Sequence, residues 1–379
     1  MKILIVGGGI AGLTLGAFLE NSDIEFDIIE KCTDWNQQGF LISMWDSGRD
    51  ILKKIGLDDR VDTTGSPAHV YSIRDGVGRI VRNIDFTSFY AKYGSAITIL
   101  SRSDLHAWLR EKISQNRIRM GTTVAAIQQK NGKVLVTFTN GKEDAYDIVV
   151  GADGVHSAIR RLIFPNDVES YENWRVWYAW IDHAFAVPAA VAEYVAPSEF
   201  IIVCSAGNKT TAWFFAPSDH THIDKPTGRI DRLKKLIKDE TALVPRAIDL
   251  LRDEDLVPSD IAYVKMKYWV HDRVVLIGDA AHCMGPHAGI GSTMAMEDGY
   301  VLAGELMKVS ASYPIAMALE NYEKKRRVRI TLAQNLSNTL KWGTFIRSTY
   351  VRRVANHVIP LIPKRFLTRD LENLLRHEI

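Results

Sequence analysis

The stretch from Lys2 to Glu30, KILIVGGGIAGLTLGAFLENSDIEFDIIE, decides the fold. Its first five residues form a short, continuously apolar run, which is typical of a strand buried on both faces in a parallel sheet. Residues 7–12 then match the pattern GxGxxG and open a segment of helical composition. A second apolar run, residues 26–29, leads to Glu30, eighteen residues after Gly12. This order predicts a strand, a tight turn, a helix and a second parallel strand.

The glycines of that turn and the acid after the second strand predict a dinucleotide site. Gly7 permits the tight turn, Gly9 lets the backbone approach a pyrophosphate, and Gly12 allows the helix to pack closely on the strand. The phosphates would lie at the positive end of the helix dipole. Glu30 can accept both hydroxyls of an adenosine ribose, which favours FAD or NAD. A purely structural glycine turn is the alternative, and the complete order of elements argues against it.

A second glycine-rich stretch follows another predicted strand, residues 273–278 (RVVLIG). Asp279 stands at the end of this strand, a proline-containing loop follows, and Gly289 and Gly291 open a helix. Free amides at a helix start favour an anion or a carbonyl oxygen, so we predict a second such site here. The charge-free runs 3–19 and 280–296 are each just under the length of a membrane span, and their glycines argue against lipid-facing helices.

Composition is that of an ordinary globular protein of one large or two closely associated domains. The chain has 379 residues, 46% of them hydrophobic and 24% charged, and a net charge of +2. This balance gives no electrostatic reason to expect nucleic acid as a partner. The cysteines, Cys32, Cys204 and Cys283, show no paired spacing, so we expect no metal site and no oxidising compartment. Because the N-terminal stretch lacks signal-peptide features, we expect a cytoplasmic protein.

The middle of the chain supplies candidate ligand-binding side chains. Arg102 stands where a predicted strand meets a helix that Ser101 can cap, a place that suits a ligand-facing cation as well as a surface ion pair. Between residues 174 and 218 the segments are strand-like and rich in aromatic residues, with Trp174 and Trp180 on one face and Trp177 on the other. We expect this sheet to contribute to an apolar binding pocket, with simple core packing as the alternative. The candidate pocket residues are Trp177, Trp180, Trp213, Phe215, Pro286 and His287.

Three motifs in this order and spacing resemble a known family. They are the GxGxxG turn of residues 7–12, the segment 151–154 (GADG) and the segment 278–282 (GDAAH). Together they resemble the single-component FAD-dependent monooxygenases of the p-hydroxybenzoate hydroxylase type, over about residues 1–330. The resemblance implies an α/β fold with a Rossmann-type, glutathione reductase-like FAD-binding domain, an inserted β-sheet substrate domain and a C-terminal helical segment. On this basis we predict the FAD-binding domain over residues 1–70, 97–172 and 264–330, the substrate-binding domain over 71–96 and 173–263, and C-terminal helices over 331–379.

The resemblance also implies which residues contact the cofactor. Glu30 and the first glycines would hold the ADP half of FAD, and Val124 would meet the adenine through its backbone. Arg102 would reach toward the flavin, Asp279 would bind the ribityl and pyrophosphate region, and amides of residues 289–293 would face the flavin pyrimidine carbonyl. Asp153 would act in FAD and NAD(P)H binding, in part by fixing Arg160. The full set is Gly7, Gly9, Ala11, Gly12, Glu30, Lys31, Ser43, Arg102, Val124, Asp153, Asp279, Gly289, Gly291, Ser292 and Thr293.

The chemistry implied by the resemblance is hydroxylation of an aromatic or polycyclic small molecule. NADPH or NADH would dock transiently and reduce FAD, and O2 would then give a flavin C4a-hydroperoxide that transfers oxygen. A flavin reductase or oxidase on the same fold is one alternative. A non-redox binding protein of the GDP-dissociation-inhibitor type is another, and the presence of Glu30, Asp279 and both glycine segments argues against it. His183 and His287 are candidate bases, although a structural role suits each histidine better.

The C-terminal tail is basic. Residues 341–379 carry eight basic and three acidic side chains, a net charge of +5 against +2 for the whole chain. Such a tail could lie on an anionic membrane or on a partner, but we expect it to pack back across the two domains, and we expect no membrane partner.

Overall fold

A computed structural model describes residues 1–35, 39–88, 91, 97–188, 190–196, 199–218, 221, 224–236, 247–344, 348–362 and 371–374. The helices are α1 Ile10–Leu19, α2 Asp46–Lys54, α3 Asp58–Thr64, α4 Arg102–Glu111, α5 Ala158–Ile163, α6 Arg229–Leu236, α7 Asp279–His282, α8 Gly291–Leu306, α9 Ile315–Thr344 and α10 Thr349–Val358.

The first eleven strands are β1 Lys2–Val6, β2 Glu25–Ile29, β3 Leu41–Trp45, β4 Ser66–Pro67, β5 Val70–Asp75, β6 Ile80–Asp85, β7 Ile97–Ser101, β8 Ile118–Arg119, β9 Val124–Lys130, β10 Lys133–Phe138 and β11 Glu143–Tyr146. The remaining strands are β12 Ile148–Gly151, β13 Ser170–Ile181, β14 Ala190–Ala196, β15 Glu199–Ala206, β16 Lys209–Pro217, β17 Val257–Tyr263, β18 Val270–His271 and β19 Val274–Leu276.

The first sheet has the order β18-β19-β12-β1-β2-β8 and is parallel except at its β18 edge. Its central strands are continuously apolar because α1 and the three-stranded sheet β11-β10-β9 pack against them, so Ile3, Leu4 and Ile5 are fully buried. The predicted order of strand, turn, helix and strand is confirmed by β1, α1 and β2. Helix α1 packs against α8, so the helices that follow the two glycine segments lie side by side.

The second large sheet has seven strands in the order β17-β13-β16-β15-β14-β5-β6 and is antiparallel except for the β14–β5 pair. It has two apolar faces. One carries Trp174, Val176, Trp213 and Phe215, and the other packs on α6. Strands β5 and β6 join β13 to β17 across a long stretch of sequence, but the domain boundaries themselves remain a prediction.

Two local features of the structure, a hairpin turn and a helix cap, follow from their local sequences. Asn131 and Gly132 connect β9 to β10 with φ angles of 53° and 70°, both left-handed, as a two-residue hairpin turn requires. The Ser101 hydroxyl accepts a hydrogen bond from the Asp104 amide and caps α4. That helix ends at Glu111.

The described part of the C-terminal tail packs back on the protein, as expected. Arg82 on β6 donates hydrogen bonds to the carbonyls of Ile359 and Ile362, at 2.5 and 2.6 Å. Leu371 and Leu374 join the core around the first sheet. The tail therefore contacts β6 of the second sheet and the apolar core around the first sheet. Of the helices in the described ranges, none has the length and apolar character needed to cross a membrane.

Candidate functional site

A cavity of about 590 Å³ lies where the two glycine segments meet. Gly9 and Ala11 line it from the first segment, and Asp279, Gly289 and Gly291 line it from the second. Gly9 and Asp279 are 270 residues apart in sequence. Fold topology brings them together because α1 and α8 begin on the same side of the first sheet.

The glycines around this cavity fall into two groups. Gly7 and Gly12 are required by the packing of the protein itself. At Gly7, with a φ of 112°, an added Cβ would lie 2.4 Å from the Ala152 carbonyl oxygen. At Gly12 an added Cβ would lie 2.1 Å from the Gly7 carbonyl oxygen. At Gly291 an added Cβ would meet no atom within 4 Å, and at Gly9 only the Ala152 oxygen, at 4.0 Å. Packing therefore does not require glycine at these two positions. An open approach to backbone amides at two helix starts suits a phosphate-bearing cofactor.

Glu30 lies at the end of β2 and is buried. Its two carboxylate oxygens accept hydrogen bonds from the amides of Gly8, at 2.8 Å, and Cys32, at 3.0 Å. Each oxygen keeps a lone pair that can accept a ribose hydroxyl. Glu30 does not line the 590 Å³ cavity, and neither do the exposed Lys31 nor the buried Val124 at the start of β9.

Trp35 and His106 flank the first glycine turn, and neither residue was predicted from the sequence. The Trp35 ring lies against Gly8, where an added Cβ would be 2.7 Å from it. His106 on α4 contacts the Trp35 ring with centroids 5.1 Å apart, and its Nε2 lies 2.8 Å from the Gly8 carbonyl oxygen. Burial lowers the pKa of His106. These two rings therefore form the wall beside Glu30.

Arg102 and Asp279 form an oppositely charged pair at the cavity. Both line it, and Asp279 keeps accessible surface because it faces this space. Burial lowers the pKa of Arg102, and the charge of Asp279 opposes that shift. Burial likewise raises the pKa of Asp279, opposed by His282 and Arg102. A cation and a carboxylate at one cavity wall can bind complementary polar groups of a ligand.

Asp153 caps helix α5 and does not line the cavity. Its carboxylate accepts hydrogen bonds from the Ser157 hydroxyl, at 2.5 Å, and from the amide of Ala158, at 2.7 Å. The Arg160 guanidinium itself bonds to the Ala280 carbonyl, at 3.0 Å, and to Glu169, at 2.6 Å. Asp153 is linked to Arg160 through Ser157. The Ser157 hydroxyl donates a hydrogen bond to Asp153 and accepts one from the Arg160 amide.

A buried ionic network holds the second glycine segment. Asp298 on α8 accepts hydrogen bonds from the Gly278 amide, at 2.7 Å, and from His282 Nε2, at 2.5 Å. Arg326 on α9 bonds to both Asp298 and Glu297. Burial acts to raise the pKa of Asp298, but His282 and Arg326 hold it at about 2. His282 thus supports the loop.

The start of α8 is tied to β3 by side chains of α8 that bond to the backbone of β3. The Ser292 hydroxyl donates to the Ser43 carbonyl at 3.1 Å, and the Thr293 hydroxyl accepts from the Trp45 amide at 3.0 Å. Gly289 has a φ of 57°, and an added Cβ would lie 2.8 Å from Ser43 Oγ. Ser43 and Ser292 line the cavity, whereas Thr293 is fully buried behind it.

Two of the expected pocket residues line the cavity, Trp213 from the second sheet and Pro286 from the loop between α7 and α8. Tyr178, which was not singled out, lines it as well, and its ring lies 5.3 Å from those of Phe40 and Trp213. The alternation that placed Trp174 and Trp180 on one face also places Tyr178 there, so the signal was present in the sequence.

The other four expected pocket residues lie elsewhere. Trp177 is on the opposite face of the sheet, where it packs in the cluster with Leu233 of α6. Phe215 faces the correct side but packs against Phe200, with centroids 5.0 Å apart. Trp180 is 38% exposed, beyond the cavity wall. His287 is buried, and burial lowers its pKa to about 4, so it is neutral at pH 7.

His183, the other candidate base, contacts Thr210, with 3.0 Å between its Nδ1 and the hydroxyl oxygen, and does not line the cavity. In the described ranges there is also no group of three or more side chains that could hold a metal ion.

Relatives of this chain carry the names of enzymes, among them a monooxygenase and an FAD-dependent hydroxylase. The aurachin C monooxygenase/isomerase of Stigmatella aurantiaca is 28% identical over 84% of this chain and 83% of that protein. The 2-heptyl-3-hydroxy-4(1H)-quinolone synthase of Pseudomonas aeruginosa is 26% identical, over 94% and 95%. The FAD-dependent urate hydroxylase of Klebsiella pneumoniae is also 26% identical, over 94% and 97%.

Solved structures share the fold. Klebsiella pneumoniae HpxO in complex with FAD and uric acid superposes with a TM-score of 0.88 at 21% identity, covering 99% of this chain and 96% of that one. The tetracycline destructase Tet(55) superposes with a TM-score of 0.80, also at 21% identity, over 100% and 97%. The family described as FAD binding domain matches residues 1–337. The chain therefore belongs to this FAD-binding family, and it is an FAD-dependent monooxygenase.

Proposed function

We propose that this monooxygenase uses NADPH or NADH and O2 to hydroxylate an aromatic or polycyclic small molecule at the cavity between the two sheets. The observation that carries the proposal is the meeting of both glycine segments at one cavity whose far wall is aromatic. Gly9 and Gly291 leave their backbones open to that cavity, and Tyr178 and Trp213 stand opposite.

FAD would be held by residues at the two helix starts. The amides at the start of α1, with Glu30 beside them, would bind the pyrophosphate and ribose, and Arg102 with Asp279 would bind the middle of the cofactor. The amides at the start of α8, residues 289–293, would face the flavin carbonyl, where the helix dipole favours negative charge. The cofactor supplies the redox and oxygen chemistry when bound, and the protein supplies position and electrostatics.

The aromatic wall supports the proposed substrate class. Phe40, Tyr178 and Trp213 form a contiguous set of rings beside the cavity, and Leu41 and Met284 add apolar surface. Such a wall binds flat ring compounds and keeps water from the reacting groups. The named relatives include a urate hydroxylase and a quinolone synthase, whose names refer to ring compounds. In this proposal the sheet of 71–96 and 173–263 is the inserted substrate domain, and 1–70, 97–172 and 264–330 form the FAD domain.

The test begins with the cofactor. The purified protein should be yellow with a flavin spectrum and should oxidise NADPH or NADH in air, faster when the right aromatic compound is present. With labelled dioxygen, one labelled oxygen atom should enter the product. NAD(P)H oxidation without label in any product would indicate a reductase or oxidase, and a protein that stays colourless with added FAD would contradict the proposal and favour a binding protein.

A further inference from the structure

Helix α10 carries a stripe of exposed apolar side chains on its outer face. The described residues include seventeen exposed large apolar side chains, and five of these lie within the twelve residues 350–361. They are Tyr350, Val351, Val354, Val358 and Leu361, with exposed fractions of 77, 49, 45, 47 and 78%. Steps of three, four and seven residues place side chains on one face of a helix. Single exposed apolar residues are normal on a protein surface, whereas a contiguous set of this kind indicates an interaction site.

The opposite face of α10 holds the helix on the protein. Arg352 lies on this inner face, since it is only 2% exposed, and its charge acts on Glu193 of β14. Glu193 also accepts a hydrogen bond from the Tyr71 hydroxyl of β5. At the end of the helix, Arg82 of β6 donates a hydrogen bond to the Ile359 carbonyl. The helix is therefore anchored through one face, which leaves the apolar stripe on the other face uncovered.

The segment around α10 is strongly basic. Residues 341–369 contain seven lysine and arginine residues and no aspartate or glutamate. Arg353 and His357 are exposed on α10 itself, and Arg353 forms no ion pair with any residue that the structure describes. The helix has ten residues, so it cannot span a bilayer. An apolar stripe beside exposed cations on a short helix is the pattern of a helix that lies in the surface of an anionic membrane.

An anionic bilayer matches both features of this face. The acyl chains take up an apolar helix face to a depth of about 5–10 Å, and the headgroups attract nearby lysine and arginine side chains. A second copy of the chain matches only the apolar stripe. A symmetric dimer through this face would bring the basic borders of two copies together, where like charges repel. Because α10 is already folded and anchored, membrane binding would not incur the cost of ordering the helix.

We propose that the outer face of α10 docks this monooxygenase on anionic lipid bilayers, with the apolar stripe among the acyl chains and Arg353 at the level of the lipid phosphates. This differs from the expectation drawn from the sequence, which does not show which face of the helix is covered. The inference does not depend on the proposed substrate or on NAD(P)H use.

The test is co-sedimentation of the FAD-loaded protein with extruded vesicles of phosphatidylcholine, either alone or with about 30% phosphatidylglycerol. The protein should bind the anionic vesicles about tenfold or more tightly than the neutral ones, because each cation near an anionic surface contributes about fivefold in affinity. High salt should weaken binding to the anionic vesicles, since salt screens this attraction.

Substitutions on the outer face separate the apolar and the ionic parts of the binding. The double variant Val354→Ser, Val358→Ser should bind anionic vesicles about tenfold or more weakly, because two inserted side chains lose apolar surface. Arg353→Gln should weaken this binding about fivefold and leave binding to neutral vesicles unchanged. The matched control, Val168→Ser with Val328→Ser, makes the same changes at exposed sites outside the stripe and should behave as wild type.

The flavin spectrum of each variant shows whether it is folded. If the double serine variant of α10 does not fold, Leu361→Ser decides, because this residue follows the helix and is 78% exposed. Leu361→Ser should weaken binding to anionic vesicles about five- to tenfold.

The inference is overturned if wild type binds neither kind of vesicle or binds both equally. It is also overturned if the stripe variants bind as wild type does, or if the control variant loses as much affinity as they do. Light scattering without vesicles supplies a further check. A wild-type dimer that the Val354→Ser, Val358→Ser variant does not form would show that a second copy covers the stripe, which contradicts membrane docking.

Discussion

The two glycine segments that meet at the cavity are held in place by different forces. The first turn is held by backbone packing, with Gly12 in contact with the Gly7 carbonyl and with Ile5 of the adjacent strand. The second is held by ion pairs that connect Asp298 and Glu297 of α8 to Arg326 of α9. The first turn thus depends on close steric contacts within β1 and α1 and with Ala152 after β12, whereas the second depends on the charge of a helix that begins more than twenty residues later.

Substitutions in the two segments are therefore expected to damage the site in different ways. A change in the first turn acts by steric overlap at one point. A substitution that affects the second segment acts by leaving a buried charge without its partner. The substituted residue can lie far from the cavity. Arg329 extends the network to the tail, since it bonds to Glu297, at 2.7 Å, and to the Leu374 carbonyl, at 2.6 Å.

Arg326→Met tests the ionic side of the comparison and should have the largest effect. It leaves the fully buried Asp298 without its arginine partner and Glu297 with Arg329 alone, and breaking a buried pair in this way costs about 3–5 kcal/mol. Urea unfolding measures the loss. The control Lys324→Met, exposed on the same helix, should change stability by no more than about 0.5 kcal/mol. Equal unfolding midpoints for Arg326→Met and wild type would show that the network does not stabilise the second segment.

Gly12→Ala tests the packing side. The added methyl would lie 2.1 Å from the Gly7 carbonyl oxygen, so the turn must shift, at a cost of about 1–3 kcal/mol and with weaker FAD binding. Gly304→Ala on α8 is the matched control because its Cβ meets nothing within 4 Å. Unchanged stability and FAD affinity in Gly12→Ala would remove the distinction between the two segments.

Acid titration sharpens the comparison without mutation. The pKa of Asp298 is lowered to about 2 in the folded protein, so its ionised form stabilises the fold above its ordinary pKa of 3.8. That contribution, about 2 kcal/mol at most, is lost as pH falls from about 4 toward 2. Melting temperatures across this range should fall for wild type. In Arg326→Met the melting temperature should fall less steeply with pH. Parallel curves of melting temperature against pH for the two proteins would argue against the network as the source of this pH dependence.

Gly291→Ala separates cofactor binding from folding and should have the smallest effect on stability. Because this glycine lies in a helix and its Cβ meets no protein atom, alanine should stabilise the protein without FAD by about 0.5–1 kcal/mol. FAD affinity should fall about ten- to a hundredfold, as overpacking of a close contact predicts. Gly304→Ala should give the same stabilisation with normal FAD affinity. Unimpaired FAD binding in Gly291→Ala would mean that the cofactor does not approach this backbone.

The local sequence pattern was sufficient to predict the helices and strands and some of the residues that line the cavity. The apolar strands, the hairpin at Asn131-Gly132 and the alternation of the tryptophans could be read directly, because each depends on neighbours in sequence. The same alternation marks Tyr178, whereas Trp177 falls on the far face. Whether an aromatic side chain lines the cavity depends on where the neighbouring strands and helices lie. The sequence therefore did not distinguish Trp213, which lines the cavity, from Phe215 and Trp180, which do not.

The sequence by itself determined the two glycine segments, the acid at each strand end and hence the family, because these are short-range consequences of backbone conformation and strand burial. The tertiary structure alone decided their meeting at one cavity, the ion pairs of Arg326 and the position of Glu193 opposite Tyr71 and Arg352. Each of these joins residues from separate elements, so it exists only after the sheets and helices have packed. A buried charge in particular carries no mark in the sequence, since its burial is a property of its neighbours in space.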